Sequence, residues 1–184
     1  MKKKLLAAVV AVALVACCVI GGTLAWLTDQ TGPVTNTFTV GDVNIDLTET
    51  TTTYKILPGT EIAKDPKVTV EADSEACYLF VKVEQSANWL TDMTYSVDTP
   101  AWTKLDGADN VYYRVVDAET AKAGAEYYVL KDNKVVVSEN LTKEEIEAVS
   151  ANAPTLTFTA YAVQYMKNNT EHFEPAEAWA KVQP

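Results

Sequence analysis

Apolar side chains in this chain recur at every second position. Val43, Ile45 and Leu47 alternate with Asn44, Asp46 and Thr48. Val68 and Val70 alternate with Lys67, Thr69 and Glu71, and Leu156, Phe158 and Ala160 with Thr155, Thr157 and Thr159. A period of two puts successive side chains on opposite faces of an extended backbone, so each segment reads as a strand with one face in a core and one in water. The abundance of threonine, valine and tyrosine agrees, because these residues suit a pleated, half-buried surface.

Turn residues fall where the strands should end. Gly41-Asp42 breaks the phase between Phe38/Val40 and Val43/Ile45, which calls for a bulge or tight turn. Pro58-Gly59 is a turn, and Asp106-Gly107-Ala108-Asp109-Asn110 is a loop ahead of a strand over Val111–Asp117. Asp132-Asn133, between Tyr127–Lys131 and Lys134–Ser138, reads as a two-residue hairpin. One segment has helical spacing instead. Thr142 stands three before Glu145, a capping box, and Ile146 and Val149 give the following turns a narrow apolar face. A second short helical turn is expected after Pro175, through Trp179. About eight or nine strands with one or two short helices point to an all-β antiparallel sandwich.

The first residues carry a different signal. Three lysines precede a sixteen-residue apolar run, Leu5 to Ile20, followed by Gly21-Gly22-Thr23-Leu24-Ala25. A basic start, a short apolar stretch and a small-residue exit are the parts of a secretory signal helix. Thr23 and Ala25 supply the small side chains that a signal peptidase requires at the third and first positions before its cut. Cleavage is therefore expected between Ala25 and Trp26, dividing the chain into a signal peptide over 1–25 and one sandwich domain over 26–184. Two other readings compete. Leu14-Val15-Ala16-Cys17 matches a lipoprotein box that would lipidate Cys17, but the residues after it stay apolar to Ile20 and leave the later exit without purpose. An uncleaved anchor would want roughly 20 apolar residues, more than this run supplies.

With the leader gone, 12 basic residues face 25 acidic ones, a net charge of −13. Such a surface repels nucleic acid and anionic lipid, so neither is an expected partner, and the membrane is met only through the uncleaved leader. Cys17 and Cys18 leave with the leader. Cys77 then stands alone, in phase with Leu79, Val81 and Val83, and reads as a buried thiol acting as a small hydrophobe.

The stretches GGTLAWLTD and TNTFTVGDVNIDLTE resemble the leader and first strands of the TasA/camelysin family, with a looser echo in LTFTAYAVQ. These are secreted fibre and biofilm-matrix subunits of Gram-positive bacteria, processed by a dedicated SipW-type signal peptidase. The resemblance implies a jelly-roll topology, which composition alone does not select over an immunoglobulin-like one. It also raises metallopeptidase activity, since camelysin is described as a metallopeptidase.

No residue pattern here carries that chemistry. A zinc protease of the common kind places two histidines on one helical turn with a glutamate between them. This chain has one histidine, His172, and no HExxH, so no catalytic, metal-binding or cofactor-binding residues are assigned. A nucleophile triad would also need His172 as its base, and no GxSxG occurs. Asp42 and Asp46 on one strand face read as solvated charge. Asp106, Asp109 and Asn110 around Gly107 do not fit an EF-hand spacing and read as a solvated turn. Leu57-Pro58-Gly59-Thr60-Glu61 looks like a sorting signal without its final glycine and reads as a turn. Trp89, Trp102 and Trp179 with Tyr112, Tyr113, Tyr127 and Tyr128 would make a sugar platform if exposed. The two tyrosine pairs fall in strands expected to be adjacent, one residue toward each face, which favours the core.

The leading expectation is a non-enzymatic, secreted structural subunit whose partners are copies of itself and a signal peptidase. Residues 26–40 are the candidate donor strand, with Trp26 at the new terminus and Leu27, Val34, Phe38 and Val40 as anchors for a groove on another copy. The alternatives are a secreted monomeric carbohydrate- or protein-binding module and, third, a camelysin-like metallopeptidase. N-terminal sequencing of the protein from its own host is expected to read Trp26 first; a lipid-modified Cys17 in that place would contradict secretion as a free subunit.

Overall fold

The computed structural model describes residues 42–183. In chain order its elements are β1 (Ile45–Thr48), β2 (Glu61–Ala63), β3 (Lys67–Val70), β4 (Cys77–Gln85), β5 (Met93–Thr94), β6 (Thr103–Lys104), β7 (Val111–Val116), α1 (Ala118–Ala123), β8 (Ala125–Tyr128), β9 (Lys134–Val137), α2 (Lys143–Ser150), β10 (Leu156–Gln164) and α3 (Pro175–Trp179). Every strand pairing is antiparallel, and the strands form three sheets, β1-β3-β8, β10-β4-β7-β6 and β2-β9-β5. The architecture is an all-β sandwich with three short helices among the described residues. The anticipated break at Gly41-Asp42 falls partly outside those residues.

Strand β4 lies at the centre. Its run Cys77-Tyr78-Leu79-Phe80-Val81 is apolar without interruption, the pattern of a strand covered on both faces. Cys77, Leu79, Val81 and Val83 point into the space between the four-stranded sheet and β1-β3-β8, where Val68 and Val70 of β3 meet them. Tyr78 and Phe80 point the other way, against Ala178 and Trp179 of α3. Phe80 and Trp179 rings stand 5.3 Å apart. Each such buried side chain stabilises the fold by roughly 1.5–3 kcal/mol. The third sheet has its own core of Met93, Leu130, Val135, Val137 and Leu141, and Leu156 and Phe158 of β10 pack against both this core and the main one.

The capping box at α2 forms as the spacing indicates: the Thr142 hydroxyl accepts from the Glu145 N–H at 3.3 Å, and Glu145 Oε2 accepts from the Thr142 N–H at 2.9 Å. Two expectations are corrected. The hairpin across Asp132-Asn133 is a turn but not a hairpin. Asp132 and Asn133 both take positive φ (56° and 51°), yet β8 pairs with β3 while β9 pairs with β2 and β5. The turn carries the chain from one sheet to another. The tyrosine pairs are not in adjacent strands either: Tyr112 and Tyr113 belong to β7 and Tyr127 and Tyr128 to β8, in different sheets. Between those strands lies α1, which period-two reading passes over. Its signals are local: Asp117 Oδ1 accepts from the Thr120 N–H at 2.9 Å, and Gly124 ends the helix at φ 80°, where a Cβ would come within 3.2 Å of the Ala72 nitrogen.

Trp102 is fully buried, and its indole N–H donates to the Tyr128 carbonyl at 2.8 Å, tying the four-stranded sheet to β8. Beside it the Arg114 guanidinium of β7 lies 3.5 Å from the centre of the Tyr127 ring. The β7/β8 side of the sandwich is closed by these two contacts.

Cys77 is the only cysteine among the described residues and is wholly buried, as its phase indicates. Burial pushes its thiol pKa up to about 11. Because the thiolate is the reactive form, the native chain beginning at Trp26 is expected to react with a thiol reagent at mildly alkaline pH only after denaturant is added. Prompt native-state labelling would contradict the packing of β4.

Candidate functional site

The side of the sandwich opposite Arg114 and Trp102 is built differently. There the edge strands are β1 and β10, which neighbour each other without pairing. A groove of about 650 Å³ lies at this side, its lining including Leu47, Ile62, Trp89, Met93, Val135, Leu156 and Phe158. The sandwich's own alternation helps make it apolar, since Leu47 of β1 and Leu156 and Phe158 of β10 turn their side chains inward.

The backbone along both edges can be read from flanking hydrogen bonds. The Ser86 N–H donates to Thr155 O (2.9 Å) and the Tyr165 N–H to Ala76 O (2.7 Å). In an antiparallel ladder the bonded residues alternate, so Thr155, Thr157, Thr159, Tyr161 and Val163 face β4. Leu156, Phe158, Ala160 and Ala162 then turn their N–H and C=O groups outward, and no described residue bonds them. On β1 the Glu71 N–H donates to Asn44 O (2.9 Å), which sets Asn44, Asp46 and Thr48 toward β3 and Val43, Ile45 and Leu47 outward.

One rim of the groove is a strap, residues 49–56, that follows β1. Glu49 Oε1 meets Lys64 Nζ at 2.7 Å, with only 15% and 9% of the two side chains exposed. The Tyr54 hydroxyl donates to Glu49 Oε1 at 2.9 Å and also lies against the Thr51 carbonyl. Burial, with the neighbouring Glu49 carboxylate, drives the Tyr54 pKa well above the ordinary phenol range. The Lys64 ammonium stands 5.0 Å from the Tyr54 ring and 5.3 Å from the Phe158 ring, so one cation holds the strap and touches β10. Asp65 secures the strap further, accepting from the Thr50 hydroxyl and N–H, and these bonds hold its carboxyl below the usual range. Lys64 and Glu49 are missed by sequence reasoning; they stand 15 residues apart with no periodic relation.

The residues expected at the processing site and donor strand, Thr23, Ala25, Trp26, Leu27, Val34, Phe38 and Val40, lie outside the described residues, as does Cys17. His172 is exposed, stacks on Tyr165 at 4.9 Å, and sets its Nδ1 3.0 Å from the Phe173 carbonyl. Its acidic neighbours are engaged elsewhere, Glu171 with Asn168 and Glu174 in the cap of α3. Among the described residues no group of three His, Cys, Asp or Glu side chains gathers to hold a metal. Asp106–Asn110 connects β6 to β7, and Leu57–Glu61 is a turn leading into β2, with the Thr60 hydroxyl donating to Leu57 O at 2.7 Å. Among the described aromatic residues, Trp102 and Trp179 are buried, and only Tyr128 is well exposed, at 45%.

A family model described as camelysin metallo-endopeptidase matches residues 1–84, a span that includes β1, β2 and β3 and ends within β4. Over that span the camelysin/TasA family is supported. No curated protein and no solved structure matches the chain. The metal implied by that description has no fitting donor set among the described residues: the one histidine is held against Tyr165 and Phe173, outside the matched span.

Removing one partner of a buried ion pair leaves a desolvated charge and typically costs about 3–5 kcal/mol. Glu49→Ala is expected to lower unfolding stability by about 3 kcal/mol, and adding Lys64→Met to recover part of that loss. Denaturant melts of the three variants check this, and equal stability of Glu49→Ala and the unaltered chain would contradict a buried pair.

Proposed function

We propose that the chain is a non-enzymatic, secreted structural subunit that assembles with copies of itself by strand addition once its leader is removed. The observation that carries this reading is the apolar groove lined by Leu47 of β1, Leu156 and Phe158 of β10 and Ile62 and Val135 of the third sheet, beside the unpaired edges of β1 and β10. An extended segment laid into such a groove gains backbone hydrogen bonds from the edge and apolar burial from the floor. Residues 34–40, Val-Thr-Asn-Thr-Phe-Thr-Val, have a mostly matching pattern: in an extended strand Val34, Asn36, Phe38 and Val40 would share one face and Thr35, Thr37 and Thr39 the other. The camelysin-family match over residues 1–84 is consistent with this reading at the family level. A segment given from each copy to the next makes a head-to-tail contact, which repeats into a filament. The leader acts as the switch, because it holds the donor segment at the membrane until cleavage.

The peptidase reading has only His172 to offer a metal, and the binding-module reading has most of its aromatic residues in the core.

Chain beginning at Trp26 is expected to form filaments seen by electron microscopy and light scattering, and chain lacking residues 26–40 to remain monomeric. Burying one large apolar side chain contributes roughly 1.5–3 kcal/mol. Phe38→Asp is therefore expected to raise the critical concentration by about tenfold or more, and Thr37→Asp to change it far less. Equal effects of the two substitutions, or a lowered melting temperature with no assembly in any variant, would contradict strand donation.

A further inference from the structure

We infer that Glu49 and Lys64 become covalently joined: the Lys64 amine condenses with the Glu49 carboxyl to an isopeptide bond that pins the strap to the link between β2 and β3. The bond lies within one chain. It goes beyond the proposed function and forms whether or not copies assemble.

The two reacting groups are in contact and largely out of water. Lys64 Nζ lies 2.7 Å from Glu49 Oε1, with 9% and 15% of the two side chains exposed. The ammonium stands 5.0 Å from the centre of the Tyr54 ring and 5.3 Å from that of Phe158. Bulk water opposes condensation, because it solvates both ions and is itself the product. An apolar enclosure weakens both obstacles. The pair has lost much of its hydration, and one proton passed across the contact leaves a neutral amine beside a neutral acid.

The backbones that carry the pair are held in place. Thr50 follows Glu49 and Asp65 follows Lys64, and the Asp65 carboxylate accepts from both the N–H and the hydroxyl of Thr50. The Lys64 N–H donates to Asn133 O at 2.8 Å. Well-oriented partners within one molecule can reach effective molarities of roughly 10⁵ M or more, which favours joining groups that stay apart when free.

Tyr54 supplies a donor at the reacting carboxyl. Its hydroxyl donates to Glu49 Oε1 at 2.9 Å. Burial, with the adjoining carboxylate, raises its pKa well above the ordinary phenol range, so the O–H keeps its proton. Attack by Nζ on Cδ of Glu49 places negative charge on Oε1, where that O–H is already directed. The first Lys64 proton goes to Oε2. The Nζ–Cδ bond then forms, the Cδ–Oε2 bond breaks, and Oε2 leaves as water with a second Lys64 proton. Oε1 stays as the amide oxygen, and no oxidant, reductant or cofactor takes part.

The bond closes a loop over residues 49–64, which holds the threonine run 50–53 and the three-residue strand β2. Cys77 is the only cysteine among the described residues and is buried, so a disulfide does not staple this loop. A cross-link there stabilises the fold by restricting the unfolded chain.

Intact mass under denaturing conditions and peptide mapping of the chain beginning at Trp26 test this. The mass is expected to fall one water below that of the sequence. Trypsin is expected to release residues 26–55 joined to residues 56–67, because an acylated Lys64 is no longer cut. A full sequence mass overturns the inference. So does a lost water that maps elsewhere, such as a succinimide at an aspartate. Lys64→Arg keeps the charge and is expected to show the full mass; a water still missing there overturns the assignment to Lys64. Tyr54→Phe is expected to join roughly 100-fold more slowly, followed by mass against time after synthesis. Equal rates overturn the part given to Tyr54. If either variant fails to fold, mapping of the unaltered chain decides.

Discussion

The fold depends on covering β4 completely. Its apolar run leaves no face suited to water, so one sheet must lie on Cys77, Leu79, Val81 and Val83, and α3 on Tyr78 and Phe80. Its two edges are taken by β7 and β10. Much else follows from those demands. The four-stranded sheet has to be broad enough to flank β4, the second sheet has to face it, and the C-terminal segment has to return across the outer face to deliver Trp179. Cys77 belongs to this packing, which buries its thiol completely.

Holding β10 against β4 has a cost at the other edge. Nine residues of backbone face away from β4 or toward it in alternation, and those facing away meet no described partner. The molecule treats its two sandwich openings differently. One is closed by Trp102, Arg114 and Tyr127. The other keeps an apolar groove beneath the strap held by Glu49 and Lys64. Unpaired edges are hazards in a chain meant to stay monomeric, and carboxylates of the kind seen at Asp42 and Asp46 guard against indiscriminate pairing. β1 carries them beside its outward N–H groups, and the sequence of β10 has none.

What could be read from the residues was local. Alternation placed β1, β3 and β10, the Thr142–Glu145 spacing placed α2, and the phase of Cys77 with Leu79, Val81 and Val83 foretold its burial. Partnership between strands was not legible. A period of two tells which side chains share a face but not which sheet holds the strand, so β8 and β9 were joined across Asp132-Asn133 although they separate into different sheets. Helix α1 left its signals, an Asp117 cap and a closing Gly124, but the strand pattern of Val111–Asp117 masked where it began. The groove was the least legible feature. An edge is defined by the neighbour a strand lacks, and the Glu49–Lys64 pair exists only because tertiary packing brings two unrelated segments together.

The central claim is that one copy's N-terminal segment occupies another copy's groove. A photo-crosslinking residue placed at position 38, in an assembled mixture of isotopically heavy and light chains, tests it most directly. The account predicts crosslinks from position 38 to β10 that join heavy to light chains in the proportion of random mixing. Crosslinks confined to peptides of one isotopic label, each chain joined only to itself, would contradict it.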